Sequence, residues 1–286
     1  VLWAVMVSLA EVWRSFGVVP DAVVGHSQGE VAAACVAGGL SLDDGARVVA
    51  LRSRAVGVLA GRGGMASVPL PVDVVRERIA PGRLSVAAVN GPSSTVVSGD
   101  ADPVAALVEE LLEEGVWASR IEVDYASHSS HVTQIRERLL SDLDGITPLP
   151  GAVPYYSSVT GGLLETEALD AGYWYRNLRQ TVEFEQATRS LLAAGHRVFV
   201  EVGPQPALMY GIEDTAADAG APETLVLDTL RRGAGGLRRF QTALAEAHVR
   251  GLRVDWERLF AGTGARRVGC WYGLGWPYPG CPYGGW

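Results

Sequence analysis

The chain has 286 residues of which 48% are hydrophobic, enough for a large buried core and too many for a disordered polypeptide. A formal net charge of −8 without a basic cluster argues against nucleic acid or an anionic membrane as partner, because both need a concentrated positive footprint. The cysteines Cys35, Cys270 and Cys281 form neither an even disulfide framework nor a metal-ligand spacing, so a reducing compartment, the cytoplasm, and no metal are expected.

The pattern opens in an amphipathic helical run, Val1 to Phe16, with no signal peptide before it and no uncharged apolar run of about 18 residues anywhere. A first residue that is valine and already inside a helix predicts a segment of a larger polypeptide. After Pro20-Asp21, Ala22 to Val24 reads as a short buried strand running into Gly25-His26-Ser27-Gln28-Gly29, and a helix follows from Gln28 to about Ala37. Strand, Gly-x-Ser-x-Gly and helix in succession are the pattern of a nucleophile elbow, in which a sharp turn pushes the serine hydroxyl out of the sheet. Glycine is expected to be needed on both sides of the turn. The backbone N–H of Gln28, at the start of the helix, is the expected donor to an oxyanion forming beside Ser27. His26 can line the pocket, but a neighbour of Ser27 on a strand faces the other way and is a poor acceptor for its proton.

Gly38-Gly39 stops that helix, and Ser41 with Asp44 predicts a capping box that starts a helix running to about Ala60. Arg52 falls in the middle of its apolar stripe with Val48, Val49, Ala55, Val56 and Leu59. A guanidinium there requires an anion, either a carboxylate of the protein or one that is bound. The break at Gly61-Arg62-Gly63-Gly64 introduces a different pattern: strand Met65–Val68, helix Val72–Ile79, strands Leu84–Asn90 and Thr95–Ser98, helix Ala101–Glu114 and strand Trp117–Val123. That βαββαβ order predicts a ferredoxin-like insert at 63–124 closing over Ser27. The chain then returns at Asp124–His128, with a helix from His131 to Leu143. Any of the five histidines is more often packed or exposed than catalytic, and His131, His196 and His248 are read that way. Arg197–Val202 reads as a buried strand, and Gly233 to Gly236 breaks the chain before an amphipathic helix at Leu237–Val249.

The pentapeptide, Ala50-Leu51-Arg52-Ser53-Arg54, Gly64-Met65-Ala66-Ser67-Val68, Val89-Asn90-Gly91-Pro92, Val123-Asp124-Tyr125-Ala126-Ser127-His128-Ser129, Tyr173 to Leu178 and Val200 to Pro204 occur in an order that resembles the acyltransferase domains of modular type I polyketide synthases. The resemblance covers residue 1 to about 268. It implies an α/β fold with a mainly parallel sheet, flanking helices and the ferredoxin-like insert. It divides the chain into a large acyltransferase part at 1–62 and 125–222, the small subdomain at 63–124, a trailing linker at 223–268 that packs toward a neighbouring ketosynthase domain, and an irregular tail at 269–286 that departs from the family. The implied activity is transfer of an extender acyl group from coenzyme A, through Ser27, to the phosphopantetheine thiol of an acyl carrier protein, with no bound cofactor. In antibiotic-type biosynthesis such domains sit inside multifunctional enzymes. His128 becomes the base, Arg52, 25 positions after Ser27, the grip on the acyl carboxylate, and the Asn177 backbone carbonyl the acceptor that orients the base. Tyr125-Ala126-Ser127-His128 accompanies methylmalonyl-CoA rather than malonyl-CoA selection in that family, so Tyr125 and Ser127 enter the substrate site. A second oxyanion donor comes, in the family, from a Gly-x-Gly-x-Gln segment upstream of the region matching Val1. Two other readings are a serine hydrolase or thioesterase, for which chain order offers Asp170 or Asp228 as triad acid, and an inactive fragment with only a docking role.

Overall fold

A computed structural model of the chain describes residues 1–79 and 82–265. The expected tail at 269–286 and two of the three cysteines lie outside the described residues. Helix α1 (Leu2–Ser15) leads to the two-residue strand β1 (Val23–Val24), the elbow and α2 (Gly29–Ala37), so Gln28 is the residue before the helix and not its first. Helix α3 (Leu42–Val56) starts as expected: the Ser41 side chain accepts from the Asp44 N–H at 3.0 Å and its hydroxyl donates to the Asp44 carboxylate at 3.1 Å. Its last turn, Gly57–Leu59, tightens to a 3₁₀ turn.

The insert is built as β2 (Gly63–Val68), α4 (Val72–Arg78), β3 (Leu84–Gly91), β4 (Ser94–Asp100), α5 (Ala101–Glu113) and β5 (Ser119–Ile121). The last strand is shorter than predicted, and Trp117 lies outside it with 86% of its surface exposed. After a 3₁₀ stretch at Ser130–Ile135, where one continuous helix was expected, come α6 (Arg136–Asp142), β6 (Tyr155–Ser157), β7 (Gly162–Leu164) and α7 (Ala171–Arg179). The chain finishes with β8 (Val182–Glu183), α8 (Phe184–Ala193), β9 (Val198–Glu201), α9 (Met209–Asp218), β10 (Leu225–Asp228), α10 (Leu237–Val249) and α11 (Trp256–Phe260).

The fold is α/β, as predicted. Parallel pairing in the large part is carried by two short sheets: β1 on β6, with β7 antiparallel at the edge, and β9 on β10. The insert has the strand order β5-β2-β4-β3 with antiparallel neighbours, the ferredoxin-like arrangement. Sequence patterning missed its fifth strand. Strand β8 runs parallel to β3, pairing Ala88 with Val182 and Val89 with Glu183, and the Thr181 hydroxyl donates to the Val86 carbonyl at 2.8 Å. Two residues are too few for a periodic signal.

Burial explains the near-continuous Val and Ala of the insert strands. One face packs Ala66, Val68, Leu84 and Val97 against α5 and Val75 of α4, while Ala88 and Val96 pack with Phe184, Leu191, Ile212 and Ala216 of α8 and α9. A sheet covered on both faces does not show the alternation of a half-exposed one. The segment read as a trailing linker contributes to the core as well. In α10, Phe240, Ala243, Leu244 and Ala247 are buried at helical spacing beside Leu227 of β10 and Trp13, whose indole N–H donates to Thr229 at 2.9 Å.

Helix α9 meets the insert at Gly211, where an added Cβ would fall inside contact distance of the Asn90 carbonyl oxygen. The opposing atom is backbone and cannot swing away. Gly211→Ala is expected to lower stability by about 1–3 kcal/mol, the usual range for overpacking, and urea unfolding at constant m-value is the check.

Candidate active site

The elbow forms because β1 ends at Val24 and α2 begins only five residues later. Within that turn Ser27 adopts φ 52°, the left-handed region, at a cost of about 1–3 kcal/mol that persists only where the surroundings enforce it. Three backbone bonds do so: Gly29 N–H to His26 O at 2.8 Å, Glu30 N–H to Ser27 O at 3.1 Å and Val31 N–H to Gln28 O at 3.2 Å. These begin at Gly29, so the turn makes no use of the Gln28 N–H. The expectation of two required glycines is corrected. A Cβ on Gly25 would overlap Glu30 backbone, whereas one on Gly29 would meet nothing within 4 Å. Gly25 passes under the first turn of α2, and Gly29 faces open space.

Ser27 Oγ lies 2.8 Å from His128 Nε2 and receives the Arg52 Nη2 N–H at 3.3 Å. His128 also has positive φ, 58°, and is held at the C-terminal end of α7, where carbonyls lack helical partners. Its backbone N–H donates to Leu178 O at 2.9 Å, and its ring Nδ1 to Gln180 O at 2.8 Å. The orienting carbonyl is therefore that of Gln180 and not that of Asn177. Asn177 is inside α7, while Gln180 is its extended C-cap, with ψ 163°, so its carbonyl turns away from the helix axis toward the ring. With Nδ1 protonated, Nε2 carries the lone pair that can accept the Ser27 proton. Burial, with the positive charge of Arg52 second, pushes the His128 pKa down to about 3, so the imidazole is neutral at any working pH.

Arg52 is 8% exposed between Val48 and Ala55 on α3, as the stripe predicted. Burial lowers its pKa to about 10, and the guanidinium stays charged at neutral pH. No carboxylate among the described residues lies within ion-pair distance of it, and its buried Nη1 has no hydrogen-bond partner there. The sequence left two anions open; no carboxylate among the described residues contacts Arg52, and Glu30 influences it only through longer-range electrostatics.

His26 Nε2 donates to Asn90 Oδ1 of β3 at 2.8 Å while its ring meets the edge of Phe184 at 5.5 Å. Desolvation lowers its pKa. The Asn177 side chain holds the elbow itself, donating from Nδ2 to Ser27 O at 3.0 Å and to Glu30 Oε2 at 2.7 Å. Tyr125 is half-buried against the core that includes α3, and the Ser127 hydroxyl donates to Met65 Sδ of β2 at 3.3 Å. Sequence reasoning missed Asn90, Gln180 and Glu30. Only Glu30 left a signal, as the one charge in an otherwise apolar helix. Among the described residues no group of three or more His, Cys, Asp and Glu is placed to hold a metal, and no helix is long and apolar enough to cross a membrane.

Residues 1–254 match the family model described as the acyl transferase domain. The chain is 58% identical over 270 residues to polyketide synthase GfsE of Streptomyces halstedii, covering 94% of this chain and 7% of that protein. It is 53% identical over 268 residues to erythronolide synthase EryA3 of Saccharopolyspora erythraea, covering 91% of this chain and 8% of that one. The chain thus spans a small fraction of each of these relatives. Among solved structures, the acyltransferase domain from module 8 of the salinomycin polyketide synthase superposes with a TM-score of 0.87 at 55% identity, over 90% of this chain and 61% of the other. A loading acyltransferase from the avermectin modular polyketide synthase gives 0.83 at 50% identity, over 86% and 78%.

The steric contrast at the elbow predicts that Gly25→Ala costs about 1–3 kcal/mol and abolishes labelling of Ser27 by a fluorophosphonate, while Gly29→Ala unfolds within about 1 kcal/mol of the parent. Urea titration with intact-mass analysis separates the two. The depressed His128 pKa predicts that Ser27 labelling keeps its rate from about pH 8 to about pH 5.5, where an ordinary imidazole would be mostly protonated. A midpoint near 6.5 in that profile would place the ring in solvent. Because the folded value lies below the unfolded one, the stability contributed by the neutral ring is complete above the unfolded pKa of about 6.5 and is lost as pH falls toward about 3.

Proposed function

Because the chain belongs to the acyl transferase domain family, in the group found in modular polyketide synthases, we propose that it carries an extender acyl group, methylmalonyl by preference, from coenzyme A to an acyl carrier protein. The observation that carries the reading is Arg52: a buried guanidinium with an unused N–H, 3.3 Å from the Ser27 hydroxyl, lacking a carboxylate of the protein. An acyl group bearing a free carboxylate would supply the missing anion beside the nucleophile, and the planar fork of arginine suits it.

In the proposed reaction Ser27 Oγ attacks the thioester carbonyl as its proton passes to His128 Nε2, and the Gln28 N–H stabilises the tetrahedral oxyanion. The C–S bond breaks, coenzyme A leaves with the proton from His128, and the acyl group remains as an ester on Ser27. The phosphopantetheine thiol then gives its proton to His128 and attacks that ester; the C–O bond breaks and Ser27 recovers the proton. No electrons are gained or lost, and neither step calls for a metal or bound cofactor. Tyr125 and Ser127 form the part of the wall near the acyl α-carbon, where the small Ser127 leaves room for a methyl branch, and His26 backs the pocket while engaged with Asn90. An adjacent ketosynthase domain and a cytoplasmic setting belong to the same proposal.

A hydrolase reading is disfavoured by the partner of His128. Its Nδ1 faces a backbone carbonyl, while Asp170 caps α7 by accepting from Tyr173 N–H at 2.7 Å and Asp228 pairs with Arg231 and Arg239 at 2.7 and 2.9 Å.

The test is mass spectrometry of the protein offered equimolar methylmalonyl-, malonyl- and propionyl-coenzyme A. Adducts are expected on Ser27, with methylmalonyl over malonyl by tens to a few hundredfold, the discrimination one methyl group provides. Ser27→Ala should carry none. Arg52→Ala should shift loading toward propionyl by about tenfold to a hundredfold, corresponding to one charged hydrogen bond. Equal losses for carboxylated and neutral groups would make Arg52 structural, and a preference for malonyl would overturn the reading of Tyr125 to His128.

A further inference from the structure

Beneath Ser27 lies a carboxyl group that the transfer chemistry does not use. Glu30, in the first turn of α2, has no solvent exposure. Its Oε1 accepts the backbone N–H of Ser158, after β6, and its Oε2 accepts Asn177 Nδ2 and the Tyr173 hydroxyl of α7, each at 2.7 Å.

Counting donors fixes the direction of that hydroxyl. Ser157 Oγ already accepts the N–H groups of Val159 and Thr160, at 3.0 and 3.2 Å, so its own proton is directed to Tyr173 Oη, 2.7 Å away. The Tyr173 proton is then left for Glu30. The Ser158 backbone N–H, the Asn177 amide and the Tyr173 hydroxyl all donate to Glu30, a shell that fits a carboxylate. Burial, the largest influence, raises the carboxyl pKa, and the hydrogen bonds from Tyr173, Ser158 and Asn177 offset part of that rise. No cation among the described residues lies within ion-pair distance, but its charge reaches Arg52, whose protonated form it favours. The second hydrogen of Asn177 Nδ2 goes to the Ser27 carbonyl, which also accepts the Glu30 backbone N–H.

We propose that Glu30 is a positioning residue of the nucleophile elbow: a resident buried anion that locks Asn177 and α7 onto the Ser27 carbonyl and sets the charge against which an acyl carboxylate binds Arg52. The inference rests on the reading of Ser27 as nucleophile and Arg52 as carboxylate site. Its first effect is geometric, because the left-handed conformation of Ser27 is held in part by the Asn177 amide. Its second is electrostatic, because an incoming carboxylate meets one guanidinium and one anion already in place, which weakens binding of carboxylated groups relative to neutral ones.

Two measurements on Glu30→Gln and Tyr173→Phe test it: labelling of Ser27 by a fluorophosphonate, and KM for methylmalonyl-coenzyme A against propionyl-coenzyme A. Glu30→Gln should slow labelling at least about tenfold and lower the methylmalonyl-to-propionyl KM ratio severalfold, since the opposing charge is gone. Tyr173→Phe keeps the charge and loses one donor, so labelling should slow severalfold with the KM ratio unchanged. Labelling at the parent rate in both variants overturns the positioning role, and an unmoved KM ratio in Glu30→Gln reduces Glu30 to packing. If Glu30→Gln does not melt cooperatively, labelling of Tyr173→Phe decides. If the unmodified protein takes no acyl group from coenzyme A, the transferase reading fails, and labelling alone, which needs no thioester, still decides the role of Glu30.

Discussion

A guanidinium taken out of water without a carboxylate at its side is the constraint from which the rest of this site follows. Burial of Arg52 on the apolar stripe of α3 sacrifices hydration that the hydrogen bond from Nη2 to Ser27 Oγ restores only in part, and the buried Nη1, without a partner among the described residues, costs more than the about 1–3 kcal/mol of a neutral donor. The surrounding fold has to absorb that cost while no ligand is bound. The core around α2, α3, α6 and α7 does so with Val31, Val48, Leu139, Trp174 and Leu178 wholly or almost wholly buried. Burial, reinforced by that positive charge, lowers the basicity of His128, so the two ionisable groups beside Ser27 settle into opposite states, one charged and one neutral. That division suits the proposed pocket, which would hold an anion and abstract a proton at the same pH.

The His128 ring is oriented by a helix end. Carbonyls at the C-terminus of α7 have no helical donors, and two residues of that terminus, Leu178 and Gln180, receive the backbone and ring N–H groups of His128. Neutral carbonyls orient an imidazole without raising its basicity as strongly as a carboxylate would.

What was legible in the sequence tracks the length of each signal. The elbow, the Ser41 cap and the position of Arg52 on its stripe were readable because each is a local pattern of known period or spacing. The ferredoxin-like order was readable because its strands and helices are long enough to show their boundaries. Strand β8 was not, being two residues whose identity as a strand exists only in the partner β3. Gln180 was missed because a backbone carbonyl has no residue type to announce it, and family resemblance placed the contact three residues early, inside the helix. Asn90 required knowing that a hairpin 64 residues away returns to His26. Assigning both glycines of the elbow a steric duty treated a motif as uniform when only Gly25 faces an obstacle.

The parallel pairing of β3 with β8 has a consequence for exchanging parts between related proteins. A chimera that transplants residues 63–124 alone, cutting at the glycine break and at the return of the chain, would move four strands of a five-stranded sheet and leave the fifth behind in the recipient. The seam would run through the Thr181 to Val86 and His26 to Asn90 hydrogen bonds, within one residue of the carbonyl that aims His128. In terms of recombination, the interchangeable unit of this fold is not contiguous in the chain: it includes the insert together with the short stretch from Gln180 to Glu183.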